Sequence, residues 1–337
     1  MTFDSMWLAA AFGGGLLGAA LGGLPVFILC GFAALMGVAI NLAAPATSFD
    51  SLITWGPILG PQISFAGGAA AAVYAQRIGK LGSGRDIAAG LMGLNRPDVL
   101  LIGGLFGALG YVLWWAFAQL PLIGGMGATN PIALSIVVNA IIARLVFGKT
   151  GVFGKVRAGD NRWLASDVAS WLPWQNDPKQ LVLLGLGGGL AVSWLVVQAP
   201  ALAVVGFGIA TMGLIFLQYG TKVPVWHNIA LASGQVIVIA HGDMWWGVTF
   251  ALMAAFIGEF WACVFTAHGD SHIDPPSASL ATTFTIMAVF NYFGAFTLTG
   301  APVVVIAVIV AAAGFGLFTF LQRRPNAAVA VASSAAV

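Results

Sequence analysis

Apolar runs near the ~20 residues that cross a hydrocarbon core as helix recur along the whole chain, separated by short stretches of glycine, proline and charge. The first windows fall at about 7–22, 25–43, 53–76, 98–120 and 129–147. After a polar stretch the next fall at about 180–197, 200–219, 225–240, 244–267 and 276–295, with one more at about 300–322. The pattern predicts an all-α membrane protein with about 10–11 transmembrane segments. The first pair, residues 7–43, reads either as two full spans or as re-entrant segments.

The two halves resemble each other in order. Phe12 to Leu16 matches Leu186 to Leu190, Pro25, Gly31 and Phe32 match Pro200, Gly206 and Phe207, and Trp55 matches Trp226. The fifth windows open alike, with Asn130-Pro131 against Asp274-Pro275, an N-cap residue followed by proline at the first helical position. The expected architecture is therefore two five-segment repeats plus a C-terminal helix. An odd number of spans per copy makes the second copy enter the membrane from the opposite side, so the repeats are inverted. The domains are 1–147 (first repeat), 148–179 (cytoplasmic connector), 180–295 (second, inverted repeat), 296–324 (extra transmembrane helix) and 325–337 (a mobile tail).

Charge tests the inversion. With the loop bearing Arg77, Lys80, Arg85 and Arg96 placed inside, the span count puts all 13 basic residues there, through Arg144, the connector, Lys179 and Lys222 to Arg323 and Arg324. The positive-inside rule thus predicts an N-out, C-in protein of a bacterial cytoplasmic (inner) membrane. Trp163, Leu164, Val168, Trp171 and Leu172 share half a helical wheel in the connector, which reads either as a helix in the headgroup region or as a loop docked on the bundle.

Composition agrees: 60% hydrophobic and 7% charged residues exclude a soluble domain. The 45 glycines suit helices that pack closely in lipid. Cys30 and Cys263 sit in apolar runs without metal or disulfide spacing. No nucleic-acid module is present.

Candidate chemistry is sparse. Glu259, the only glutamate, lies within a span, where a carboxyl implies a cavity, a proton or a partner; its counterpart in the first half is Tyr111. Pro57, Gly60 and Pro61 interrupt the third window of the first half, and Gly234 that of the second. Broken helices in corresponding places of inverted repeats mark solute sites. Gln62 and Ser64, with Ser233 and Gln235, are therefore the expected contacts. At the cytoplasmic face, His227, Asn228, His268, Asp270, His272 and Asp274 are candidates for a gate or proton relay. His268, Asp270 and His272 are also candidate metal ligands, although their spacing matches no metal signature. No cofactor is specified.

The stretches Ile63 to Tyr74, Gly148 to Gly151 and His268 to Pro276 resemble an uncharacterised family of bacterial polytopic integral-membrane proteins, mostly hypothetical, and the likeness implies membrane residence without an activity. The expected function is a transporter or channel for a small polar or cationic solute, with Glu259 a candidate for proton coupling. An intramembrane enzyme or metal-binding protein using the cytoplasmic His and Asp groups is the alternative, and a membrane scaffold or accessory subunit the second. The expected partners are the lipid bilayer, the solute and, compatibly, further copies of the chain.

Overall fold

A computed structural model describes residues 2–44, 47–157, 160–167 and 169–323. Val168, Arg324 and the tail 325–337, all named above, lie outside the described residues. The first half holds α1 (Ser5–Leu21), α2 (Gly23–Ala43), α3 (Ser64–Arg77), α4 (Pro97–Phe117), a hairpin of β1 (Leu122–Ile123) and β2 (Met126–Gly127), and α5 (Pro131–Phe147). The second holds α6 (Pro178–Gln198), α7 (Val205–Met212), α8 (Ile215–Gln218), α9 (His227–Ile239), α10 (Met244–Trp261) and α11 (Pro275–Tyr292), followed by α12 (Ala301–Gln322). Six helical stretches among the described residues are long and apolar enough to cross a membrane: α2, α4, α6, 200–218, α10 with its π-helical extension to Thr266, and α12. Exposed Val305, Val308, Ile309, Leu317 and Phe320 give α12 an apolar outer surface that lipid, not water, would match.

Local sequence sets the ends. Asp4, Asn130, Asp177, Asp243 and Asp274 each cap a helix through the side chain, and α4, α5, α6 and α11 place proline in the first turn, where its missing N–H costs nothing. The window at 53–76 does not run as one helix. A π-turn at Asp50–Thr54 and turns through Gly60 and Pro61 precede α3, whose 14 residues reach only about 21 Å. Its counterpart α9 has 13 residues, about 20 Å, after an extended approach at 221–226. The window at 200–219 divides into a 3-10 turn, α7 and α8. The described connector residues before α6 hold turns and one isolated bridge, Asn161 to Leu164, with no helix. Trp163 stacks on Phe260 at 5.5 Å and Leu172 is buried, as in a docked loop.

Packing recurs from one half to the other. Helix α1 packs on α3 and α4, and α6 packs on α9 and α10. Helix α3 also meets α4 and α5, as α9 meets α10 and α11. The halves join where α2 packs on α7 and α5 on α11, and α12 lies outside against α6 and α10. Bare backbones make these contacts possible: a Cβ at Gly14 would run into the carbonyl of Pro57, and one at Gly110 into that of Gln62. The broken segment before α3 is thereby held between α1 and α4.

The basic loops gather at one end. Arg77 donates to the carbonyl of Val146 (3.0 Å), Arg85 to those of Ala169 (3.0 Å) and Ser170 (3.1 Å), and Lys155 N to that of His268 (2.8 Å). Trp174 reaches the Val223 carbonyl and Gln322 that of Asn176, which brings the 220–226 segment and the end of α12 to the same face.

Candidate functional site

Asp274 caps α11, and its Oδ2 accepts from the amide (2.8 Å) and hydroxyl (2.5 Å) of Ser277. Its Oδ1 faces Nε2 of His272 at 3.1 Å, with both side chains nearly buried. Burial pushes the Asp274 carboxyl up, yet the His272 hydrogen bond, the neighbouring His272 and His227 and the Ser277 donors together hold it below its ordinary value.

The loop that presents this pair is clamped from the first half. Arg144, fully buried on α5, donates to the Ser271 hydroxyl and carbonyl and to the Phe265 carbonyl, each at 2.6 Å, and to the Val152 carbonyl at 2.9 Å. Asp270 turns away and accepts from Lys149 N (2.5 Å) and Thr150 Oγ1 (2.7 Å). His268 also turns away, with Nε2 3.1 Å from the Arg162 carbonyl, and burial pushes its pKa down. The six-residue cluster of the sequence thus divides: His272 and Asp274 face inward, while His268 and Asp270 hold the connector.

His227, the first residue of α9, stands edge-on to Phe27 (centroids 4.9 Å) and Phe207 (5.9 Å), with Nδ1 buried and unpartnered. With His272 and Asp274 it lines a cavity of about 400 Å³ at the basic end of the bundle, between elements of the two halves. Phe27 and Phe65 form its first-half wall, Arg85 and Asp86 of the 77–96 loop its rim, and Trp171 and Leu172 of the connector its cover. A second cavity of about 160 Å³ lies between α2 and the start of the 200–218 stretch, where Asn41 donates to Asp50 at 2.5 Å. Trp55 lines it and meets Phe207 at 5.4 Å; Phe207 meets Phe27 at 6.0 Å, and Phe27 meets Phe65 at 5.5 Å. Aromatic rings therefore separate the two cavities.

The other expected site residues lie elsewhere. Gln62 is buried in the break before α3, donating to the Trp55 carbonyl at 2.8 Å while its Oε1 has no partner, and Ser64 donates to the Gly60 carbonyl. Ser233 pairs with Ser193 at 3.1 Å, Gln235 is half-buried, and Asn228 donates to the Ala254 carbonyl and Ser279. Tyr111 joins Phe3, Trp7 and Trp114 and accepts from Asp4 N. Glu259 accepts from Cys263 Sγ at 3.5 Å, and neither it nor Gln62 is among the residues lining the larger cavity. Among the described residues no group of three or more His, Cys, Asp or Glu is placed to hold a metal ion, and His268, Asp270 and His272 diverge to different partners.

Sequence reasoning missed Arg85, Asp86, Phe27, Phe65 and Trp171 as lining residues. Arg85 served there only as a topological marker. A tryptophan and leucine inside a polar connector were the available signal for a segment docked over a cavity.

No curated protein and no solved structure matches the chain. A family model, described as a family of unknown function (DUF7973), matches residues 1–164 and again 154–306. These matches span most of the sequence, and the chain belongs to that family.

Proposed function

We propose that this protein is a membrane transporter that moves a small polar or cationic solute between two inverted five-segment repeats. The observation that carries the reading is the 400 Å³ cavity with buried polar groups at the basic end, separated from the opposite cavity by Trp55, Phe207 and Phe27. A mostly apolar cleft with a few convergent polar groups is the usual form of a small-molecule site. An aromatic barrier between cavities near opposite ends of the bundle is what alternating access between two halves requires.

The repeat is supported by the recurring packing, α1 on α3 and α4 as α6 on α9 and α10, and by two matches of one family model to successive parts of the chain. The helix pairs that join the halves, α2 with α7 and α5 with α11, also bring together elements in equivalent places. The gathering of basic loops supports a cytoplasmic assignment for the cavity end, with the N-terminus outside.

Counterflow into proteoliposomes, with a panel of amines, alkali cations and neutral polar solutes, tests this reading. Protein-dependent movement of at least one solute, reduced by a Leu217→Trp change in the cavity wall, is expected. Absence of movement for every solute by folded, correctly inserted protein would overturn transport and leave the enzyme and scaffold readings.

A further inference from the structure

We propose that His227, His272 and Asp274 form a proton-binding site within the inter-half cavity, in which the carboxylate stabilises a proton held by the imidazoles. That this proton is linked to solute movement rests on the transporter reading; the proton site itself does not.

The geometry assigns the parts. Asp274 Oδ1 lies 3.1 Å from His272 Nε2, so an ionised carboxylate fixes the tautomer with hydrogen on Nε2 and leaves Nδ1 to gain a proton. Asp274 keeps its charge through the two Ser277 donors, so the imidazolium that forms has a permanent counter-ion. His227 is the second acceptor. Its Nδ1 is buried without a partner, and such an orphan atom in a cavity wall asks for a proton, a water or a ligand.

Two further charged groups face the imidazoles and Asp274. The 77–96 loop presents Arg85 and Asp86 to the cavity. The Arg85 guanidinium donates to the Ala169 and Ser170 carbonyls, and Asp86 Oδ1 accepts from the amides of Ala88 and Ala89. The 267–274 connection presents His272 and Asp274. The other lining elements present apolar groups: Leu24 and Phe27 from α2, Phe65 from α3, Leu217 from α8, Trp171 and Leu172 from the connector. Arg85 and Asp86 offset each other in charge. With both imidazoles neutral, Asp274 leaves the cavity one net negative charge, which one proton cancels.

Trp171 supplies a probe, because its ring centroid is 6.4 Å from that of His272 and an imidazolium quenches indole emission. The experiment is a fluorescence titration of the full-length protein in lipid nanodiscs from pH 8.5 to 5, taken as wild type minus Trp171→Phe. A fall in the Trp171 signal with acid is expected. It should be lost in His272→Gln, move to lower pH by about one unit in Asp274→Asn, which removes the counter-ion, and move to lower pH in His227→Gln, which removes the second acceptor of the same proton. The wild-type and Trp171→Phe pair leaves the site residues untouched, so a folding defect in a histidine variant cannot hide the result. A Trp171 signal that does not titrate, or one that titrates unchanged in His272→Gln and Asp274→Asn, would overturn the proton site. Since no solute is needed, that failure leaves the transport reading standing, and a failed flux assay with an intact titration would sink transport alone.

Discussion

Arg144 grips Ser271 by both its hydroxyl and its carbonyl, each at 2.6 Å, and so ties α5 of the first half to the loop that carries His272 and Asp274 in the second. Four acceptors surround one buried guanidinium, a geometry that its planar fork fits and an ammonium does not. Arg144→Lys should therefore destabilise the protein by about 2–4 kcal/mol, given about 1.5–3 kcal/mol for each hydrogen bond to a charged group and partial rescue by the lysine. Thermal unfolding in detergent checks this; a midpoint equal to wild type would show that the clamp is dispensable.

Close approach of backbones makes a second prediction. A methyl at Gly110 would strike the Gln62 carbonyl, whereas one at Gly13 meets nothing within 4 Å. Gly110→Ala should cost about 1–3 kcal/mol through overpacking, while Gly13→Ala should be neutral or slightly stabilising in its helix. The same unfolding assay separates the two, and equal midpoints would contradict the packing around the broken segment.

Acid sensitivity follows from His268. Burial lowers its pKa from the ordinary 6.5, against the weaker opposing pull of the Arg162 carbonyl. The unfolded chain then binds the proton more readily than the folded one, so the stability from this site is full above about pH 6.5 and is lost as pH falls below it. The unfolding midpoint should drop between pH 7.5 and 5.5, and His268→Gln should shrink that drop. An identical pH dependence in the variant would assign the acid sensitivity to other groups.

Helical class, most helix positions and the discontinuity at the third window of the first half were legible in the sequence, because apolar run length and proline placement act locally. The interruption expected at Gly234 is absent: α9 runs unbroken through it, since a lone glycine in an apolar run is tolerated within a helix. Pro57, Gly60 and Pro61 announce a break wherever they occur in a helix. The site was only half legible. His227, His272 and Asp274 stood out as titratable groups in an apolar chain, but nothing local says that Asp270 and His268 turn outward to the connector while His272 turns inward. That choice depends on Arg144 and Gly84, which are 127 and 187 residues from Ser271 and bind the loop only after the halves meet. Phe27, Phe65 and Phe207 were equally hidden, since one more phenylalanine in an apolar run carries no positional signal.

Glu259 and His227 make opposite predictions for flux. Glu259 pairs with Cys263 on α10, away from the lining of the larger cavity, whereas His227 lines it. Glu259→Gln should leave solute flux within about twofold, a free-energy change of about 0.4 kcal/mol, and His227→Ala should lower it by at least tenfold. The reverse ranking in proteoliposomes would move the pathway to α10.

In the proposed transporter solute passes through the cavity between the halves, and a cysteine at Val225, in its wall, reports on that passage. Native Cys30 and Cys263 are buried and give little background. Proteoliposomes carrying Val225→Cys would be treated with a membrane-impermeant thiol reagent from one face, and flux measured before and after. Modification from the basic face should block flux, and solute present during treatment should slow the modification. Complete modification that leaves flux unchanged would contradict a route through this cavity.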